Sequence, residues 1–239
     1  MTMYDKSDYS VTPEISALHA NELDSFTQNG TWGSATQRAA IASTARNARS
    51  AAGLQIAAPD GENDLSELPD AALELARELA LGGTAIDRDY FKRITGEGVT
   101  EGAYVEIVSV VSRLVNLDVF ARGIGMSPQP LGNISDLGKP SFERPKEAID
   151  EGFFTASIPS APAGGAIAES LYGESPAGNI LRSLSLVPAE ARRVIDLVAN
   201  QYFSGPKFMD LAGDTGYALS RAQIEVVASK VSAHNRCFY

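Results

Sequence analysis

The chain reads as an all-α protein, and three features of its sequence carry that reading. Apolar residues recur at helical spacing, several periodic stretches open on a capping Ser or a first-turn Pro, and Gly or Gly pairs close them. The chain has 239 residues, 44% of them hydrophobic, enough to bury a real core as one large domain or two small ones. Twenty Lys and Arg against 30 Asp and Glu give 20 − 30 = −10, and the pI is near 4.7. That charge repels phosphate backbones and anionic membranes, so nucleic acid is disfavoured as a partner. A single Cys rules out an internal disulfide, a cysteine-rich zinc module and a secreted disulfide scaffold. Together with a polar, mixed-charge start at Met1–Ser10, it leads us to expect a reducing, cytoplasmic setting.

The pattern predicts a first helix over 14–28, entered through Pro13-Glu14 and carrying Ile15, Leu18, His19 and Leu23 on neighbouring turns. A second, Ala-rich helix runs from a cap at Ser34 or Thr36 to about Ala52, bears Arg38, Arg46 and Arg49, and ends at Gly53. A polar loop over 58–64 leads to a third helix over 66–81, striped by Leu73, Ala76, Leu79 and Ala80 and stopped by Gly82-Gly83. A short helix follows at 87–94. The stretch 100–123 has apolar residues on most faces, from Ala103 and Tyr104 to Val119, and predicts a central buried helix. Its β-branched content leaves a strand open, but its length without turn residues favours helix. Its apolar run is broken by Glu106, Ser109, Ser112, Arg113 and Asn116, so it is no membrane span.

Seven of the twelve prolines lie between 125 and 178, with Gly164-Gly165 and little periodicity. This predicts a loop-like connector, and the domains read as 1–127, a connector over 128–178, and 179–239. Helical patterns resume near Asn179 and over 188–203, where Val194, Leu197 and Val198 form the expected buried stripe. The last helix starts near Ser220 and holds Ile224, Val227 and Val231. A weak repeat underlies the arrangement: at a shift of 220 − 34 = 186 residues, Ser34, Gln37, Ala42 and Ser43 fall on Ser220, Gln223, Ala228 and Ser229. In the first copy Ala39 stands at the place of Glu225 and Ala51 at that of Cys237, so that copy carries no chemistry.

The final stretch gathers an acid, an imidazole, a cation and the lone thiol: Glu225, His234, Arg236 and Cys237. A thiol is nucleophilic as thiolate, and neighbouring positive charge or a helix N-terminus favours that form. Asn235 reads as a helix break, after which Cys237 opens a new helix. The competing reading is an inert thiol with His234 as an ordinary polar helix end. Glu225 precedes Cys237 by twelve residues, about 18 Å along a straight helix, so the two meet only if the chain bends back or another subunit intervenes. His19 reads as a surface or core residue rather than a ligand. No phosphate-binding glycine loop or convincing metal set is present. The scattered acidic groups read as solvated faces with no carboxylate pair for acid/base work.

Glu225, then Val231-Ser232-Ala233, Asn235 and Cys237-Phe-Tyr, resemble the carboxymuconolactone decarboxylase and alkylhydroperoxidase (AhpD-like) superfamily, particularly its peroxidase-related members. There a Glu precedes a Ser-Ala-x-Asn-x-Cys-x-x-Cys-x-x-x-His run. The stretch from Gly98 through Glu106 to Asn116 also looks like that family's second conserved helix, and Asn179 to Pro188 like the lead-in of its two-domain members. The matching stretches span about half of the chain.

The resemblance implies an all-α, AhpD-like tandem with a degenerate first copy and an incomplete second one, usually oligomeric. It implies a thiol oxidoreductase that reduces hydroperoxides and is recycled by a dithiol, with no cofactor and no metal. Cys237 becomes the resolving Cys and Glu225 the acid of the proton relay. The attacking position and the family's His fall after Tyr239, and His234 is not that His. An open frame read as stopped at a selenocysteine codon would look this way, as would a truncation. The expectation is a chain inactive or impaired as written. A helical scaffold that keeps only the fold is the rival reading.

Overall fold

The computed structural model describes residues 3–56, 68–135, 137–173, 176–203, 207, 210–235 and 237. The protein is all-α: the described residues form helices joined by turns and loops, with only isolated β-bridges at Gln28–Ser135 and Ile149–Ser157. It divides into two compact units, Met1–Ile195 and Asp196–Tyr239. The boundary predicted inside 128–178 thus lies within the first unit.

In the first unit, α1 spans Pro13–Ser25, α2 Ala35–Ala51, α3 Asp70–Ala80, α4 Arg88–Gly96 and α5 Glu101–Gly123. Each starts where local chemistry dictates. The Thr12, Asp87 and Thr100 side chains accept from the backbone N–H of Ile15, Tyr90 and Ala103, and Pro13 occupies the first turn of α1. Ser34 and Gln37 form a reciprocal capping box on α2. Gly53, at φ 69°, follows the C-cap of α2 in the left-handed conformation expected there. The predicted loop over 58–64 and the start predicted for α3 at residue 66 fall outside the described residues.

The predicted central helix is α5, which packs against α1, α2 and α3 and buries Val105, Ile107, Val110, Val111, Leu114 and Leu117. The Ala-rich face of α2 allows close approach: Ala35, Ala40, Ala42 and Ala45 are fully buried. At the start of α5, Gly102 lies under the Trp32 indole, where any Cβ would collide with the ring. Val105 packs with Ala156, Leu186 and Val187, joining the segment after the prolines to this core.

The connector is less loop-like than predicted. Helix α6, Gly165–Tyr172, lies in it and buries Ala168 and Leu171. It is short and flanked by Gly164 and Gly173, so the surrounding Pro and Gly density masked its period. A one-turn α7, Asn179–Arg182, precedes α8, Pro188–Gln201. On α8 the predicted stripe is corrected: Leu197 is buried but Val198 is exposed, and Ala191 and Glu190 face inward instead. The second unit holds α9, Arg221–His234, which opens on a second capping box, formed by Ser220 and Gln223.

Candidate functional site

Two constellations stand out, one in each unit. In the second unit Glu225 lies on α9, where its carboxylate accepts from the Tyr202 hydroxyl at 2.8 Å and from Arg221 Nε at 2.6 Å. The Arg221 guanidinium also lies 4.2 Å from the centre of the buried Phe203 ring, and the Tyr217 hydroxyl donates to the Tyr202 carbonyl. An aromatic cluster therefore sets the position of both partners of Glu225. The Tyr202 hydrogen bond, helped by the charge of Arg221, holds the Glu225 carboxyl below the usual carboxylate range.

Helix α9 ends at His234 with Asn235 as C-cap, the break predicted there. Cys237 follows as a free, exposed cysteine whose backbone N–H donates to the Ser232 carbonyl at 2.9 Å. Among the described residues no hydrogen bond or ion pair reaches the thiol, and Glu225 is committed to Tyr202 and Arg221. The helix does not bend back to join the two. Arg236 and the helix predicted to open at Cys237 fall outside the described residues, apart from Cys237 itself.

In the first unit, four of the acidic groups read as solvated faces are instead buried. Glu22, Glu106, Asp118 and Glu190 are each at most 4% exposed, and each meets a buried arginine. Arg38 donates to Glu106 at 2.5 Å and to Glu190 at 2.9 Å through the same Nη1, while its Nε and Nη2 donate to the Ser25 carbonyl. Arg113 donates to Glu190 at 2.5 Å, to Glu22, and to the Ser25 and Ser109 hydroxyls. Arg193 closes the chain on Glu22 at 3.1 Å. Three carboxylates face three guanidiniums, so the cluster is neutral as a whole.

Burial alone would push the Glu190 carboxyl up, but Arg113 and Arg38 outweigh it and bring its pKa down to about 2. The Trp32 and Gly33 N–H groups also donate to Glu106, at 2.8 and 3.2 Å. The turn that supplies them starts at Gly30, where a Cβ would overlap Glu106 Oε1 and Arg38 Nη1. Apart from this cluster, Arg46 grips Asp118 through two nitrogens at 2.9 and 2.7 Å.

His19, read as a surface or core residue, lies in the core. It is fully buried, with Nδ1 2.8 Å from the Tyr4 hydroxyl and its ring edge-on to Phe120. Burial lowers its pKa to about 4. No group of three or more His, Cys, Asp or Glu among the described residues is arranged to hold a metal ion. No helix among them is long and apolar enough to cross a membrane.

The cluster was missed because no short motif links its members. Only the apolar surroundings of Glu106 and Arg113 on α5 hinted that charges were being taken into a core. Comparison with family models, with curated proteins and with solved structures finds no match to this chain.

Proposed function

We propose that the chain is a thiol oxidoreductase of the alkylhydroperoxidase type, acting on hydroperoxides with a dithiol reductant. In this reading Cys237 is the resolving thiol and Glu225 the acid/base that moves its proton. The observation that carries it is the placement of Glu225: a carboxylate held by hydrogen bonds from Tyr202 and Arg221, on the helix that leads to the chain's one free thiol. An ionised carboxylate accepts a proton; a neutral one would not. The tandem arrangement draws support from the two capping boxes. Ser34 with Gln37 and Ser220 with Gln223 open their helices 186 residues apart, at the shift found in the sequence.

Homo-oligomerisation belongs to the same proposal. At that shift Ala40, Ile41 and Ala45, all buried on α2, correspond to Val226, Val227 and Val231, which are 70%, 57% and 53% exposed on α9. An apolar face of this kind suits contact with another subunit.

The test is hydroperoxide consumption with dithiothreitol by a form that carries the second Cys and the His of the family pattern after Tyr239. Turnover is expected, abolished by Cys237→Ser and lowered at least tenfold by Glu225→Gln. No turnover would favour the rival scaffold reading. One observation supports that rival: the Cys237 thiol has no hydrogen-bonding or charged partner among the described residues.

A further inference from the structure

A cavity of about 390 Å³ opens in the first unit over the buried ion cluster, within the size range of small-molecule sites. Two loops wall it, and they are fastened to one another on both sides of it. The Ser135 N–H donates to the Thr27 carbonyl at 2.8 Å, and the Phe142 N–H to the Thr31 carbonyl at 2.9 Å. Between these two bonds the chains separate around the cavity. Asn29 braces them further, accepting from the Ala35 N–H at 2.8 Å and donating to the Leu137 carbonyl at 3.0 Å. The start of α8 supplies the third wall. The cavity is therefore preformed rather than a gap left by loose chain.

Its charge runs against that of the protein. In a chain of net charge −10, the cavity is lined by Arg38, Lys139 and Arg193 and by one acidic side chain, Glu190. Glu190 is already held by both Arg38 and Arg113, and Arg38 has its nitrogens on Glu106, Glu190 and Ser25, so neither has charge to spare. Lys139 has charge to spare, and Arg193, whose charge Glu22 offsets, has N–H donors to spare. Arg193 gives one nitrogen to Glu22 and is about one-third exposed; its remaining N–H groups, and the Lys139 ammonium, have no partner among the described residues. A guanidinium with donors to spare beside a free ammonium matches the oxygens of a carboxylate or phosphate.

We propose that this cavity is a binding site for a small organic anion, held by Arg193 and Lys139. The site lies in the unit that lacks the thiol and does not depend on the redox reading. Glu190 and Arg38 form its floor without spending charge on the ligand, which makes the cavity selective for anions over cations.

Calorimetric titration of the whole chain with inorganic phosphate and, separately, with citrate tests the proposal at 150 mM NaCl. Saturable binding of either probe with a dissociation constant below about 1 mM is expected, weakened at least tenfold in Lys139→Ala and in Arg193→Met. Lys139 is exposed and unpaired, so Lys139→Ala leaves the melting temperature unchanged and keeps the test independent of folding. Which probe binds tells phosphate-bearing from carboxylate-bearing ligands. No saturable binding of either up to 10 mM, or binding that both variants retain, overturns the proposal.

Discussion

Arg38 Nη1 lies 2.9 Å from Glu190 Oε1 although 152 residues separate them along the chain. Glu190 reaches Arg113 with its other oxygen, so one carboxylate on α8 fastens α2 to α5. A pair so buried contributes little compared with an apolar replacement of the whole group, but removal of one member strands the others. Glu190→Gln leaves two guanidiniums with their buried charge less than compensated. It is expected to lower unfolding stability by about 3–5 kcal/mol, measured by urea denaturation. A double-mutant cycle of Glu190→Gln with Arg113→Gln should show strong coupling rather than additivity.

Gly30 is required for its lack of a side chain, because Glu106 and Arg38 occupy the place of a Cβ. Gly30→Ala is expected to cost about 1–3 kcal/mol, as overpacking does elsewhere. Gly53→Ala is a useful contrast: nothing lies within 4 Å of its Cβ position, but its φ is 69°. Strain alone operates there, so urea midpoints of the two variants separate collision from backbone conformation.

Acid should destabilise the protein in two stages. The pKa of His19 is about 4 in the folded state against about 6.5 unfolded, so below pH 6.5 the unfolded chain takes up a proton that the native core refuses. Stability is then complete above pH 6.5 and falls toward pH 4, by about 2–3 kcal/mol. The Glu190 contribution is held above its unfolded value near 4.3 and lost as the pH falls toward about 2. Melting temperatures measured from pH 7 to 3 should show both slopes, and His19→Gln should flatten the upper one alone.

The two capping boxes give a matched pair of probes. Ser34→Ala and Ser220→Ala each remove one accepting side chain, worth about 1 kcal/mol. On α2, whose residues are largely buried, the loss should lower global stability. On α9, which has no buried residue, it should increase amide hydrogen exchange only in the first turn of that helix.

Helices α1, α2, α4, α5 and α9 were legible because each carries its own start signal beside its own period; Asp87 and Thr100 announce α4 and α5 as clearly as Ser34 and Ser220 do their helices. Helix α6 was not, since eight residues between two glycines give too few turns for a period to emerge. The ion cluster was illegible for a different reason. Its partners stand 68 to 171 positions apart, and a Glu in a helix looks the same in sequence whether it meets water or an arginine. At the candidate redox site, the helix break at Asn235 follows from local chemistry, whereas the exposure of Cys237 had no signal in the sequence. The Tyr202 and Arg221 partners of Glu225 were missed, though Arg221 at four residues' spacing was within reach of a helical-pair argument.

The clasp that Glu190 makes also sets an order of events during synthesis. Arg38, Glu106 and Arg113 leave the ribosome long before residue 190 does, and until it emerges they lack the carboxylate that joins them. The join that Glu190 makes between α2 and α5 therefore closes only after the start of α8 has been made, whereas the Arg38–Glu106 and Arg113–Glu22 pairs can form before it.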